Sequence, residues 1–278
     1  MTSLFNRTPE MATRIEASRG GQVFSRGTGF YYRIFLPNDQ HMFFIVTNKH
    51  VLEGAEDFRI WMHINGSTLE EPNAIPISIE INDRTYLPHW DANVDLCFVN
   101  ISEHVQKTSE DVGGLKFSAF HKGGLVSQVH IDSMLPVSSV IMIGCPNGLY
   151  DDVNHIPLAR RGVTATPFVL DYRGRKEFLV DIACFPGSSG SPVLLFNRGE
   201  ATPVGNDDKQ FTQPVHFALL GVLFAGPTMD QSGTITMNRP PEVTISSMIH
   251  LGLVLKSERL LEVENRILNI RRAQGLPA

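Results

Sequence analysis

The segment Phe185-Pro186-Gly187-Ser188-Ser189-Gly190-Ser191-Pro192 has the composition of a nucleophile loop. Attack by a serine hydroxyl on a carbonyl needs backbone N–H groups beside it, to take the charge that develops on oxygen. A glycine two positions before the serine lets the chain turn so that two N–H groups point together. A glycine directly after it lets a substrate come close. Gly187 and Gly190 meet both demands around Ser189, and the N–H groups of Gly187 and Ser189 are the candidate oxyanion donors. Taken alone, the segment reads equally well as a Gly/Ser turn between strands.

A serine of this kind needs a base. The chain has ten histidines, and His50 is the one delivered by an apolar run, Phe44-Ile45-Val46-Thr47-Asn48-Lys49-His50-Val51. A neutral imidazole at a strand end can take a proton near neutral pH. A lone histidine is more often a hydrogen-bonded structural residue. Asp95 stands directly before the apolar run Leu96 to Ile101, where a carboxylate could fix the imidazole tautomer and stabilise the imidazolium. Asp91 is a rival in a more polar stretch, and an aspartate before a strand is commonly only a turn former. Together, His50, Asp95 and Ser189 would support acyl transfer through a covalent intermediate on Ser189. Such a site should lose activity in acid as the imidazole takes up a proton.

These residues need a scaffold. Strands are expected at Thr28 to Leu36, Met42 to Thr47, Phe58 to Ile64, Ile75 to Ile81 and Leu96 to Ile101, with isoleucine at every second position from Ile75 to Ile81. They give a first barrel over about 20–102, behind an N-terminal extension at 1–19. Residues 103–136 read as a connection with one short strand or helical turn. A second barrel over about 137–255 draws on Val137 to Gly144, Arg161 to Thr166, Phe178 to Cys184, Pro192 to Phe196 and Phe217 to Phe224. Residues 197–214 and 226–242 look like long loops. From Ser257 to about Ala273 the apolar spacing turns helical, and this terminal helix, within 256–278, is expected to cap the barrel. The fold class is therefore all-β, two six-stranded antiparallel barrels followed by a C-terminal α-helix.

Composition narrows the function. Of 278 residues, 42% are hydrophobic and 19% charged, which is ordinary for a globular chain. The net charge of −5 offers no basic face for a phosphate backbone. The densest basic run, Arg173-Gly174-Arg175-Lys176, lies between apolar stretches and reads as a solvated hairpin tip, so no nucleic-acid partner is expected. There is no apolar leader at the N-terminus and no span of ~20 apolar residues, so no membrane role is expected either. Cys97, Cys145 and Cys184 are far apart and odd in number, which suits buried free thiols in a reducing, cytoplasmic setting. The sequons at Asn65 and Asn100 then read as chance matches. No CxxC or HExxH spacing occurs, and neither a metal nor an organic cofactor is expected.

With these motifs in hand, the chain resembles the trypsin-like serine proteases, particularly the HtrA/Deg type, through most of residues 20–255. Gly27-Thr28-Gly29-Phe30 is similar to that family's glycine-flanked first strand, and Ile45 to Val51 to its histidine motif. Asp95-Leu96 resembles its aspartate motif, Gly144-Cys145-Pro146-Asn147-Gly148-Leu149 its G-x-P-x-G-L turn, and Asp181 to Pro192 its nucleophile loop. Gly221-Val222-Leu223-Phe224 is similar to the strand that pairs with substrate. The order His, Asp, Ser is that of the chymotrypsin type. The resemblance implies a serine endopeptidase acting on protein or peptide substrates. Ala183 would sit near the base of the pocket for the P1 side chain, with Leu223, Phe224 and Ala225 along its wall. No carboxylate lies in those segments, so an apolar P1 preference is expected. Ser191 departs from the family's usual second glycine, and Ser188 from the aspartate of trypsins. No peptide-binding PDZ module of the kind usual in HtrA proteins is expected after residue 256, where a short helix follows. These departures keep two other readings open: a catalytically silent protease fold used for binding or sensing, and an enzyme whose nucleophile loop is ordered only by an activating protein partner.

Overall fold

The computed structural model describes residues 10–68, 71–197, 216–234 and 242–278. The first half contains strands β1 (Ala12–Arg19), β2 (Gln22–Phe35), β3 (His41–Thr47), β4 (Asp57–Ile64), β5 (Ala74–Glu80), β6 (Tyr86–Pro88), β7 (Cys97–Asn100) and β8 (Leu115–Lys116). Helix α1 (Lys49–Leu52) follows β3, and helices α2 (Ser102–Val112) and α3 (Gln128–Asp132) lie in the connection. The second half contains β9 (Ser139–Gly144), β10 (Leu158–Thr164), β11 (Glu177–Asp181), β12 (Pro192–Asn197), β13 (His216–Ala225), β14 (Thr228–Thr234), β15 (Glu242–Met248) and β16 (Leu251–Lys256), then α4 (Glu258–Ala273).

The second half closes as a six-stranded antiparallel barrel in the order β10-β11-β16-β13-β12-β9. The first half is an eight-stranded sheet, β5-β4-β1-β2-β3-β7-β6 with β8 added on β4. It differs from the expected six-stranded barrel by its extra strands and by the lack of a closing ladder among the described residues. One extra strand is β1, inside the stretch expected to be an extension. It pairs with both β2 and β4. Its pattern was hidden because Thr13, Glu16 and Ser18 are buried polar residues with partners: Thr13 Oγ1, for example, donates to the Trp61 carbonyl at 3.0 Å.

Strand periodicity explains how the halves join. On β2, Phe30, Tyr32 and Ile34 face one cluster while Tyr31 faces another; on β3, Phe44 and Val46 oppose Ile45 in the same way. On β9, Ile141 and Ile143 point to the shared cluster, and Val140 and Met142 into the closed barrel. With both faces buried, these strands read as continuous apolar runs. The shared cluster also takes Leu260, Val263 and Ile267 of α4, so the terminal helix is docked on the core.

Other expectations change. The connection holds an eleven-residue helix, α2, ended by Gly113 at φ 77°. The sixth strand of the closed barrel is β16, which the sequence reading did not assign. Residues 228–234, expected within a loop, form β14 and pair with β15 as a two-stranded ribbon. Of the expected loop 197–214, all but Asn197 lies outside the described residues. The basic run is tied down: Arg175 pairs with Glu177, and Lys176 with Glu258 and Glu262 of α4.

Candidate active site

His50 sits on α1, a single turn anchored by buried Val51 and Leu52. The anchoring leaves its side chain 45% exposed. Its Nδ1 meets Oδ2 of Asp95, and its backbone N–H donates to Oδ1 of the same carboxylate at 3.2 Å. Both carboxylate oxygens therefore orient one residue, and Nε2 is left for a reacting group. Asp95 is held through its own backbone, whose carbonyl accepts from Asn48 Nδ2 at 2.6 Å. Asp91 is occupied elsewhere: its Oδ1 accepts from the N–H and Nδ2 of Asn93, at 2.9 and 3.2 Å. Those bonds hold its carboxyl below the usual carboxylate range. Beside His50 and Asp95 opens a cleft of about 520 Å³, lined also by Lys49, Glu53, Ile81 and Tyr86.

Ser189 lies in the turn between β11 and β12, and Thr28 ties that turn to the first sheet. The Thr28 N–H donates to the Ser189 carbonyl at 2.9 Å, and Thr28 Oγ1 to the Gly187 carbonyl at 3.0 Å. Oγ1 also accepts from the Cys145 N–H at 2.9 Å, and the Thr28 carbonyl accepts from Thr47 Oγ1 at 2.7 Å. Thr47 is three residues before His50. His50 and the turn carrying Ser189 therefore lie along one seam between the halves. Gly190, at φ 87°, must be glycine: a Cβ there would lie 1.9 Å from the Thr28 carbonyl oxygen. Among the described residues, the N–H groups of Gly187 and Ser189 make no hydrogen bond. No hydrogen bond joins the Ser189 hydroxyl to His50 among the described residues; such bonds often tighten only in the substrate complex.

The two serines that depart from the family pattern are buried. The Ser188 hydroxyl accepts from the Phe185 N–H at 3.4 Å. Ser191 fits because Gly144 faces it, where a Cβ would lie 2.0 Å from Ser191 Oγ. Gly190 donates to the Leu223 carbonyl at 2.8 Å, and Leu223 donates to that of Ser191 at 2.9 Å. Phe224 is the extra residue of a bulge between Leu223 and Ala225. Ala183 follows β11, and its carbonyl accepts from Arg160 Nη1 at 2.8 Å. Leu223 thus borders the Ser189 turn, with Phe224 and Ala225 next to it on β13, and Ala183 leads from β11 into the segment that carries Ser189. The thiols are poor rival nucleophiles: burial pushes Cys145 up to about 12 and Cys184 up to about 11.

Sequence reasoning missed Thr28 as a hub, Thr47 and Asn48 as links, and Arg160. The available signal for Thr28 was a polar residue between two glycines. Arg160 fell just before the expected strand Arg161 to Thr166, whereas β10 begins at Leu158. Among the described residues, no group of three or more His, Cys, Asp or Glu could hold a metal ion, and no helix is long and apolar enough to cross a membrane.

Comparison with known proteins places this arrangement. No curated protein matches the chain in sequence. Among solved structures, the serine endoprotease from Yersinia pestis aligns with a TM-score of 0.49 and 13% identity, over 96% of this chain and 65% of that one. The MamO protease domain from Magnetospirillum magneticum aligns at 0.47 and 10% identity, over 93% of this chain and 97% of that one. GrC aligns at 0.48 and 13% identity, over 94% of each chain. The family model of the trypsin-like peptidase domain matches residues 27–204, well over half of the 278. The closed barrel, the eight-stranded sheet and the terminal helix are accordingly this chain's version of the trypsin-like double barrel, and the chain belongs to the trypsin-like peptidase domain family.

Proposed function

We propose that the chain is a serine endopeptidase that hydrolyses peptide bonds through an acyl-enzyme on Ser189. The observation that carries this reading is the seam itself. An imidazole held by a carboxylate and a serine turn whose two candidate donor N–H groups make no hydrogen bond among the described residues are tied together through Thr28 and Thr47. In the proposed reaction Ser189 Oγ attacks the scissile carbonyl, and His50 Nε2 takes its proton and returns it to the leaving amine. Asp95 keeps the Nδ1–H tautomer and stabilises the imidazolium, while the N–H groups of Gly187 and Ser189 receive the oxyanion. Water then repeats the sequence on the ester.

The segments 183 and 223–225 contain no carboxylate, which speaks against lysine or arginine at P1. That absence is the ground for an apolar P1, and the cation that β10 contributes, Arg160, bears on the same pocket. Three buried free thiols fit a reducing compartment, and we place the protein in the cytoplasm.

Labelling with a fluorophosphonate, followed by mapping of the modified residue, tests the reading. Wild type should be labelled at Ser189 and should cleave an unfolded protein substrate. Ser189→Ala should do neither. Equal labelling of the variant would exclude Ser189. An unlabelled, folded wild type would favour the silent binding module, and labelling that appears only with an added partner would favour a latent enzyme.

A further inference from the structure

Arg160 lies on β10, two residues before Gly162, whose Cβ position would be 2.7 Å from Ile182 Cβ inside the closed barrel. Strand alternation sends Arg160 to that same inner face, at the barrel end where residues 183–185 leave β11. Its Nη1 donates to the Ala183 carbonyl at 2.8 Å, and its Cζ stands 5.0 Å from the centre of the Phe185 ring. Its charge also reaches Cys184, where it opposes the rise that burial imposes on the thiol. Gly252 closes the same space: a Cβ there would lie 2.6 Å from Leu223 Cδ1 and 2.8 Å from Cys184 Sγ. Arg160 is therefore built into the residues that border the Ser189 turn.

Among the described residues no carboxylate pairs with its charge. Among the described residues, the arginines paired with carboxylates are Arg14, Arg26, Arg175 and Arg259. Arg160 is partly buried, and one hydrogen bond to a carbonyl uses one of its five donors. A half-buried cation in that state gains most from a ligand that brings a carboxylate, because the planar fork matches its two oxygens. The same charge repels lysine and arginine.

We propose that Arg160 makes the pocket select an acidic side chain, glutamate or aspartate, at the residue whose carbonyl Ser189 attacks. This rests on the protease reading above and names its substrate class. The absence of a carboxylate in the pocket segments disfavours a basic P1 side chain, and the cation from β10 favours an acidic over an apolar one.

The test uses peptides that differ only at P1, carrying Glu, Gln, Leu or Lys. They are assayed with wild type, Arg160→Gln and Arg160→Glu, alongside fluorophosphonate labelling of each protein. Wild type should prefer Glu over Gln by about 10–100-fold in kcat/KM, the range of a charge-assisted hydrogen bond. Arg160→Gln, which can still donate to Ala183, should bring the ratio to within a few-fold. Arg160→Glu should prefer Lys. Labelled wild type that prefers Leu, or a Glu preference unchanged in Arg160→Gln, overturns the inference and leaves the protease reading intact. Protein that is neither labelled nor active overturns both. Should the variants fail to fold, the wild-type Glu to Gln ratio decides alone.

Discussion

Thr28 grips the Ser189 turn twice, by its N–H on the Ser189 carbonyl at 2.9 Å and by its hydroxyl on the Gly187 carbonyl at 3.0 Å. Fixing these carbonyls fixes the Gly187–Ser188 and Ser189–Gly190 peptide planes, which flank the Ser188–Ser189 peptide that carries the Ser189 N–H. Thr28→Val keeps the shape but strands the Gly187 carbonyl and the Cys145 N–H. Each lost partner in a buried site costs about 1–3 kcal/mol. We expect kcat to fall by about 10–100-fold with KM little changed, and Thr28→Ser to restore most of it. Steady-state kinetics with an unfolded protein substrate measures this. A KM effect without a kcat effect would mean that Thr28 does not position the oxyanion donors.

Much of this site was legible before any coordinates. Ser189, His50 and Asp95 announce themselves because each adjoins an apolar strand, and strands show their period-2 burial in the sequence. The links between them do not. Thr28 and Thr47 act through backbone atoms of residues 159 and 19 positions away, and no local pattern encodes that pairing. Strand β1 was unreadable for a related reason: its buried Thr13 and Ser18 are satisfied by Trp61 and Asp57, far along the chain, and Glu16 by Arg14 and Arg26, so its polarity looks like solvent exposure. Helix α4 was read nearly to its ends because its apolar stripe is local.

Asp95→Asn gives a sharp test of the carboxylate. The amide oxygen can still accept from the His50 N–H, so the local fold should survive. The contact with Nδ1 then favours the wrong tautomer, and loss of the charge removes support for the imidazolium. A fall in kcat of about 10⁴-fold is expected. Asp91→Asn should stay within a few-fold of wild type, because Asp91 serves Asn93. Reversal of this order would transfer the role to Asp91.

The terminal helix should depend on one buried contact. Tyr32 Oη donates to Glu264 Oε2 at 2.6 Å, across the cluster that holds Leu260 and Ile267. Tyr32→Phe leaves a buried carboxylate without its donor, at a cost of about 1–3 kcal/mol. The double variant Tyr32→Phe with Glu264→Leu should recover part of that loss, since no polar group is then stranded. Urea denaturation of the four proteins in the cycle measures the coupling. Additive effects would show that the contact contributes nothing.

Acid should loosen the same helix through Glu262. Its carboxylate accepts from His89 Nε2 at 3.0 Å, Lys176 Nζ at 3.2 Å and Arg259 Nη1 at 2.9 Å. The Asp91 N–H donates to His89 Nδ1, which places the ring proton on Nε2 and makes His89 a donor to Glu262. Burial alone would raise this carboxyl, but the bonds from His89, Arg259 and Lys176 outweigh it and hold it below the usual glutamate range. A group whose folded pKa is depressed adds stability above its unfolded value, near ~4.3 for glutamate, and that stability is lost as pH falls through the folded value. Wild type should therefore lose unfolding free energy more steeply than Glu262→Gln once the pH drops below about 4.3. Parallel stability curves for the two proteins in that range would show that Glu262 gains nothing from its three donors.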